Sequence, residues 1–227
     1  SGPQESVLDR RQFSSCLLAP ALGSASLMAH AAGAKPAAAK LAVQPGVHFQ
    51  ALTASQVTQA PAGKVEVVEF FGYYCPHCDH IDPQVTKWLA QQGSDVFFRR
   101  VPFSPAPATD VLQKMYFALE LDGHVERLHS AIFNAFHREK VRFQTAEAAA
   151  DWVARQGVDR ARFLSLLNSF TVQTKARAAR QLADGYQING VPSFGVAGLY
   201  VVNLNPSVSQ DTILDVVDVL VQRQRKA

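Results

Sequence analysis

Seven consecutive residues, Val65-Glu66-Val67-Val68-Glu69-Phe70-Phe71, leave this chain little freedom in how it folds. β-branched and aromatic side chains at most positions suit a strand covered on both faces, since an alternating strand would leave half of them in water. Such a strand needs helices or another sheet above and below it, so the chain must build a layered α/β domain. Its 227 residues, 48% hydrophobic and 18% charged, are enough to bury a core of that size. The net charge of +3 is too small to argue for nucleic acid or a membrane surface as partner.

Gly72-Tyr73-Tyr74 ends this strand, and Pro76 suits the first turn of a helix predicted over about 76–91. A second strand follows from Asp95 to Val101, and an extended lead-in precedes the first around Val47 to Leu52. From Thr109 to about Tyr186 the period becomes helical. Leu112, Met115, Tyr116 and Leu119 mark one helix, and Val125, Leu128, Ile132, Phe133 and Phe136 a second. Thr145 opens a third that Gly157 closes, Asp159 caps a fourth, and a fifth runs from about Thr171. Strands return at Ser193 to Ala197 and Leu199 to Val202, joined at Gly198, before a last helix bearing Ile213, Val216, Val217 and Leu220. The order is β-α-β, about five helices, then β-β-α. No connection within one sheet needs so many residues, so the helices form an inserted domain. The expected division is a leader at 1–34, a linker at 35–46, a sheet domain at 47–107 and 181–227, and an insert at 108–180.

The leader has the layout of a cleavable secretory signal. Asp9-Arg10-Arg11 precedes an apolar stretch from Phe13 to Ala29, followed by Ala29-His30-Ala31 and Ala32-Gly33-Ala34. Arg10-Arg11-Gln12-Phe13 also resembles a twin-arginine export signal, and Ser1-Gly2-Pro3 reads as a protease remnant. Outside this segment no apolar run is long enough to span a bilayer. Cleavage would remove Cys16 and leave one pair, Cys75 and Cys78, whose loop is too small to staple a fold. Chemistry is the remaining use for it.

Cys75 lies at the strand-to-helix junction and Cys78 one turn further on, a spacing compatible with a disulfide. A thiolate at Cys75 would face the unpaired N–H groups and positive end of the helix, with His77 adding positive charge when protonated. Cys78, inside the helix, should be more shielded. Cys75 is therefore expected to be the nucleophile and Cys78 the resolving thiol. Zinc half-sites use the same spacing, but tetrahedral zinc needs four ligands and no second C-x-x-C exists; His80 is nearby and the other histidines are scattered. Haem attachment would need His where Asp79 stands. A structural disulfide remains an alternative.

Glu69-Phe70-Phe71 running into Cys75-Pro76-His77-Cys78 resembles the DsbA family of bacterial periplasmic thiol:disulfide oxidoreductases, members of the thioredoxin superfamily. Asn168-Ser169-Phe170, Gly190-Val191-Pro192 and Tyr200 to Asn205 are similar to further family segments, so the likeness covers roughly residues 47–225. It implies a thioredoxin fold, a mixed central sheet flanked by helices, with an inserted helical domain. It also implies a cis Val191–Pro192 peptide beside Cys75, in a loop that offers backbone groups to substrate. Pro76-His77 is similar to the oxidase type of dipeptide, and His77 with Pro192 would touch substrate and partner.

Glu69 corresponds to an acid of the family that exchanges protons with the buried cysteine; the plainer reading is a strand-end Glu reaching water. A family lysine that pairs with this acid is replaced by Phe98, with Arg99 or Arg100 as substitutes. The implied function is a monomeric oxidase that donates its Cys75–Cys78 disulfide to reduced, unfolded exported proteins in the periplasm. A DsbB-like membrane quinone reductase would reoxidise it, with no cofactor beyond that disulfide. A DsbA nucleophile can ionise at about 3.5. Ionisation that deep would stabilise the reduced protein by roughly 4.8 kcal/mol at pH 7, or roughly 100 mV of oxidising power. A disulfide isomerase or reductase on the same fold, and a non-enzymatic metal-binding module, are the competing readings.

Overall fold

The computed structural model describes residues 42–225; the expected leader with Cys16 and the first part of the expected linker lie outside the described residues. The strand singled out above, β2 (Val65–Phe71), is central and buried at all seven positions. It pairs in parallel with β3 (Val96–Pro102) and antiparallel with β4 (Ser193–Val196). Next to β4 come β5 (Tyr200–Asn203) and then the short β1 (Gln50–Ala51), giving the order β1-β5-β4-β2-β3. Both faces of β2 are covered because both of its side-chain rows are apolar. Val65 and Val67 share a core with Ile81, Val85 and Trp88 of α1 (Pro76–Leu89) and with Val216, Val217 and Leu220 of α7 (Ile213–Gln224). Val68 and Phe70 belong to a second core with the helices between β3 and β4.

Those helices are a 3-10 turn (Pro107–Thr109), α2 (Asp110–Leu121), α3 (Val125–His137), α4 (Ala146–Arg155), α5 (Arg160–Leu167) and α6 (Phe170–Gly185). The architecture is the expected one, a mixed sheet flanked by helices with a helical insertion. Local signals act as anticipated at two ends, where Thr145 and Asp159 cap α4 and α5 by accepting hydrogen bonds from the backbone N–H of Ala148 and Arg162. Ser169 caps α6 in the same way, accepting from Val172, so that helix starts before the expected Thr171. The first helix is shorter than expected, stopping at Leu89 because Gln91 and Gln92 switch to tight i→i+3 bonds. Helix α6 runs unbroken through residue 180.

The last hairpin also departs from the expected spans. Ala197 (φ 55°) and Gly198 (φ 69°) are both left-handed, so β4 stops at Val196 and β5 starts at Tyr200. Gly198 meets a second demand, since its carbonyl accepts from Gln56 N–H at 2.8 Å and a Cβ here would overlap the Gln56 carbonyl oxygen. Gly198→Ala is expected to lower stability by roughly 2 kcal/mol or more, read as a lower urea midpoint with unchanged slope. An unchanged midpoint would contradict this account of the hairpin.

Candidate active site

The sheet delivers the cysteines. Strand β2 ends at Phe71, Gly72-Tyr73-Tyr74 turns the chain, and Cys75 takes the position before the first helical residue of α1. Its backbone is extended (φ −87°, ψ 118°), and its N–H donates to the Gly72 carbonyl at 3.0 Å. That geometry aims the Cys75 side chain at N–H groups that have no partner within the helix. Both cysteines are free thiols, Cys75 7% exposed and Cys78 only 1%. The Cys75 thiol donates to the Val191 carbonyl at 3.2 Å, and Val191–Pro192 is cis. Pro192 is buried and Val191 half-buried beside the sulfur, while Pro76 and His77 are exposed. Cys75, Cys78, Pro76, His77, Val191 and Pro192 are thus brought together.

The two thiols differ sharply in acidity. Cys75 is lowered to about 6, first by the hydrogen bond from the Cys78 thiol, against burial, and then by the Cys78 and His77 N–H groups and the His77 charge. Burial, the hydrogen bond to Cys75 and the Cys75 charge push Cys78 well above its ordinary value. The direction agrees with the helix-terminus reasoning, but the lowering is smaller than the resemblance implied because the burial of Cys75 opposes it. Ionisation at about 6 is worth about 1.4 kcal/mol at pH 7, or about 30 mV.

Behind the cysteines stands Glu69, 2% exposed, so the reading in which it reaches water is wrong. Burial raises its pKa to about 7; Arg100 opposes this and Asp82 reinforces it. The partner is Arg100, whose Nε donates to Glu69 Oε2 at 3.0 Å. Phe98 does not face the acid, because the parallel register sets Glu69 opposite Arg100 and Val67 opposite Phe98. Instead Phe98 packs on Trp88 and lies under the Arg100 guanidinium. Arg99 serves the other face of the sheet, where it pairs with buried Glu66 at 3.1 Å.

Sequence reasoning missed the continuation of this network. Arg100 Nη2 also reaches Asp82 Oδ1 on α1 at 3.5 Å, and Asp82 meets His129 Nε2 of α3 at 3.2 Å and Ser130 Oγ at 2.7 Å. His129 Nδ1 meets the Tyr73 hydroxyl at 2.8 Å, and His137 Nε2 meets the Tyr73 carbonyl at 2.8 Å. One signal was available. His129, Phe133 and His137 recur at intervals of four on one helix, which puts them on one face. Among the described residues, no group of three or more His, Cys, Asp or Glu side chains could hold a metal ion.

Comparison with known proteins bears on the fold and the family. The family model described as DSBA-like thioredoxin domain matches residues 66–218. The thiol:disulfide interchange protein DsbA of Burkholderia cepacia is 39% identical over 179 residues, 79% of this chain and 81% of that protein. The protein of the same name from Bordetella pertussis is 36% identical over 219 residues, 94% of this chain and 98% of its own length. The crystal structure of Pseudomonas aeruginosa DsbA superposes with a TM-score of 0.76 at 34% identity, covering 80% of this chain and 94% of that one. DsbA from Xylella fastidiosa gives 0.74, also at 34%, over 79% and 96%. A family model matching residues 66–218 and relatives 36% and 39% identical over most of the chain place this chain in the DsbA family of thiol:disulfide oxidoreductases.

Proposed function

We propose that this oxidase works through Cys75 as the exchanging sulfur and Cys78 as its internal partner. The observation that carries the reading is the opposed acidity of two thiols one helical turn apart. A substrate thiolate attacks Cys75 of the disulfide, forming a mixed disulfide and expelling Cys78 as a thiolate. Cys78 is too buried to stay charged and takes a proton, which Glu69, with a pKa of about 7, can supply. A second substrate thiolate then attacks the substrate sulfur of the mixed disulfide, and Cys75 leaves as a stabilised thiolate. The substrate gains a disulfide, and the protein keeps two electrons as one thiolate and one thiol. A quinone-linked membrane reductase of the DsbB type would take those electrons and restore the pair.

Val191, Pro192, Pro76 and His77 form the contact surface for substrate and partner in this reading. The substrates are reduced proteins exported to the periplasm, the leader at 1–34 brings the protein there, and it acts as a monomer. The insert spans 108–180, and the redox group is the Cys75–Cys78 pair itself. The test is a redox titration against dithiol–disulfide buffers over a range of pH. Below about pH 6 the reduced pair holds two protons and the potential should fall by about 59 mV per pH unit. Above it one proton remains and the slope should halve to about 30 mV per unit. A steep slope persisting to pH 8 would mean Cys75 has an ordinary thiol and would overturn the assignment. A potential near that of thioredoxin, about −270 mV, would favour a reductase.

A further inference from the structure

Tyr73, two residues before Cys75, is gripped at both ends by one helix of the insertion. Its carbonyl accepts from His137 Nε2 at 2.8 Å, since a carbonyl can only accept. Its hydroxyl meets His129 Nδ1 at 2.8 Å. The direction of that bond follows from the far side of the ring. Asp82 Oδ1 lies 3.2 Å from His129 Nε2, and burial lowers the His129 pKa despite this bond, which opposes the shift. The ring is neutral with its hydrogen on Nε2, and Nδ1 accepts from Tyr73. Phe133 lies between the two histidines along α3, its ring 5.0 Å from that of Tyr73 and stacked on His137. The titratable and charged groups facing His129 are Tyr73, Asp82 of α1, Arg100 of β3, Tyr116 of α2 and Glu126 of α3 itself.

We propose that His129 and His137 are positioning residues for the redox reaction, clamping Tyr73 so that the loop before α1 presents Cys75 in its working geometry. The inference rests on the reading of Cys75 as the exchanging sulfur. Only Gly72, Tyr73 and Tyr74 separate the buried strand from Cys75, so the attitude of Tyr73 is passed almost directly to the sulfur. Hydrogen bonds from the N–H groups of His77 and Cys78 weaken steeply as their angles worsen. Loosening the clamp should therefore cost thiolate stability before it costs the fold. Asp82 orients His129 in turn, held by Ser130 and Arg100 on its other sides. The insertion thereby becomes part of the redox machinery through α3.

The experiment compares Tyr73→Phe, His129→Leu, His129→Gln and His137→Leu in the full chain. Cys75 ionisation is followed by ultraviolet thiolate absorbance, alongside the oxidation rate of a model dithiol peptide. The thiolate midpoint should rise by roughly half a unit in Tyr73→Phe and His137→Leu and by roughly one unit in His129→Leu. Rates should fall roughly three- to tenfold in parallel. His129→Gln, which can donate to Asp82 and accept from Tyr73, should recover most of the loss. If all the variants that fold keep the wild-type midpoint and rate and lose only thermal stability, the clamp is merely structural and the proposal is overturned. Should His129→Leu fail to fold, Tyr73→Phe and His137→Leu decide the question, since each removes one bond. A wild-type protein with no thiolate transition below pH 8 would instead overturn the underlying role of Cys75.

Discussion

Cys75→Ser is expected to reduce dithiol oxidation to the uncatalysed level, a loss on the order of a thousandfold or more. Cys78→Ser should be equally inactive in turnover but for a different reason. At 1% exposure, Cys78 cannot take over the attack when Cys75 is absent, so the first variant has no reactive sulfur left. The second retains the more acidic and less buried one, which can enter a mixed disulfide but has no internal thiol to expel it. Cys78→Ser should therefore accumulate covalent adducts with disulfide-containing peptides, visible by mass spectrometry and released by reductant. Cys75→Ser should accumulate none. Adducts forming through Cys78 in the Cys75 variant would reverse the two roles.

Arg100→Leu should be the most destabilising single charge removal in the site, costing about 3–5 kcal/mol at pH 8. Arg100 lies between Glu69 and Asp82, both buried, and among the described residues no other cation pairs with Glu69. Even with Arg100 present the Glu69 pKa stands at about 7 against an ordinary 4.5. Holding the carboxylate ionised above pH 7 thus already costs about 3 kcal/mol. The folded pKa exceeds the unfolded one, so protonation favours the folded state. This contribution is complete below the unfolded value and is lost as pH rises through about 7.

Removing Arg100 moves the folded pKa of Glu69 higher, so the deficit of the variant should grow with pH. Asp82 behaves oppositely, its pKa held low against burial by His129, Ser130 and Arg100, but two of those partners survive the substitution. Urea unfolding at pH 5 should accordingly show a deficit of roughly half the pH 8 value or less. A deficit of equal size at both pH values would mean that Arg100 matters through packing, including its contact over Phe98, and not through charge.

What could be read from the chain alone was whatever depends on neighbours in sequence. The apolar run at 65–71 demanded a covered strand, the Cys-Pro-x-Cys spacing put two sulfurs on one helical turn, and Thr145 and Asp159 marked helix starts. The buried acid was visible as a charge within an apolar strand, but its partner was not. Which of Phe98, Arg99 and Arg100 faces Glu69 depends on the register between β2 and β3, and a one-residue shift sends a side chain to the other face of the sheet.

The clamp on Tyr73 lay further out of reach. His129 and His137 are 56 and 64 residues away along the chain, and only the docking of α3 beside α1 brings them to Tyr73. The sequence by itself determined the layered fold and the reactive pair, because each follows from local pattern, whereas it left Glu69 between two readings that only its burial separated. Tertiary structure alone decided the partners of those groups, because long-range pairing sets which charges share a desolvated space and how strongly each holds its proton.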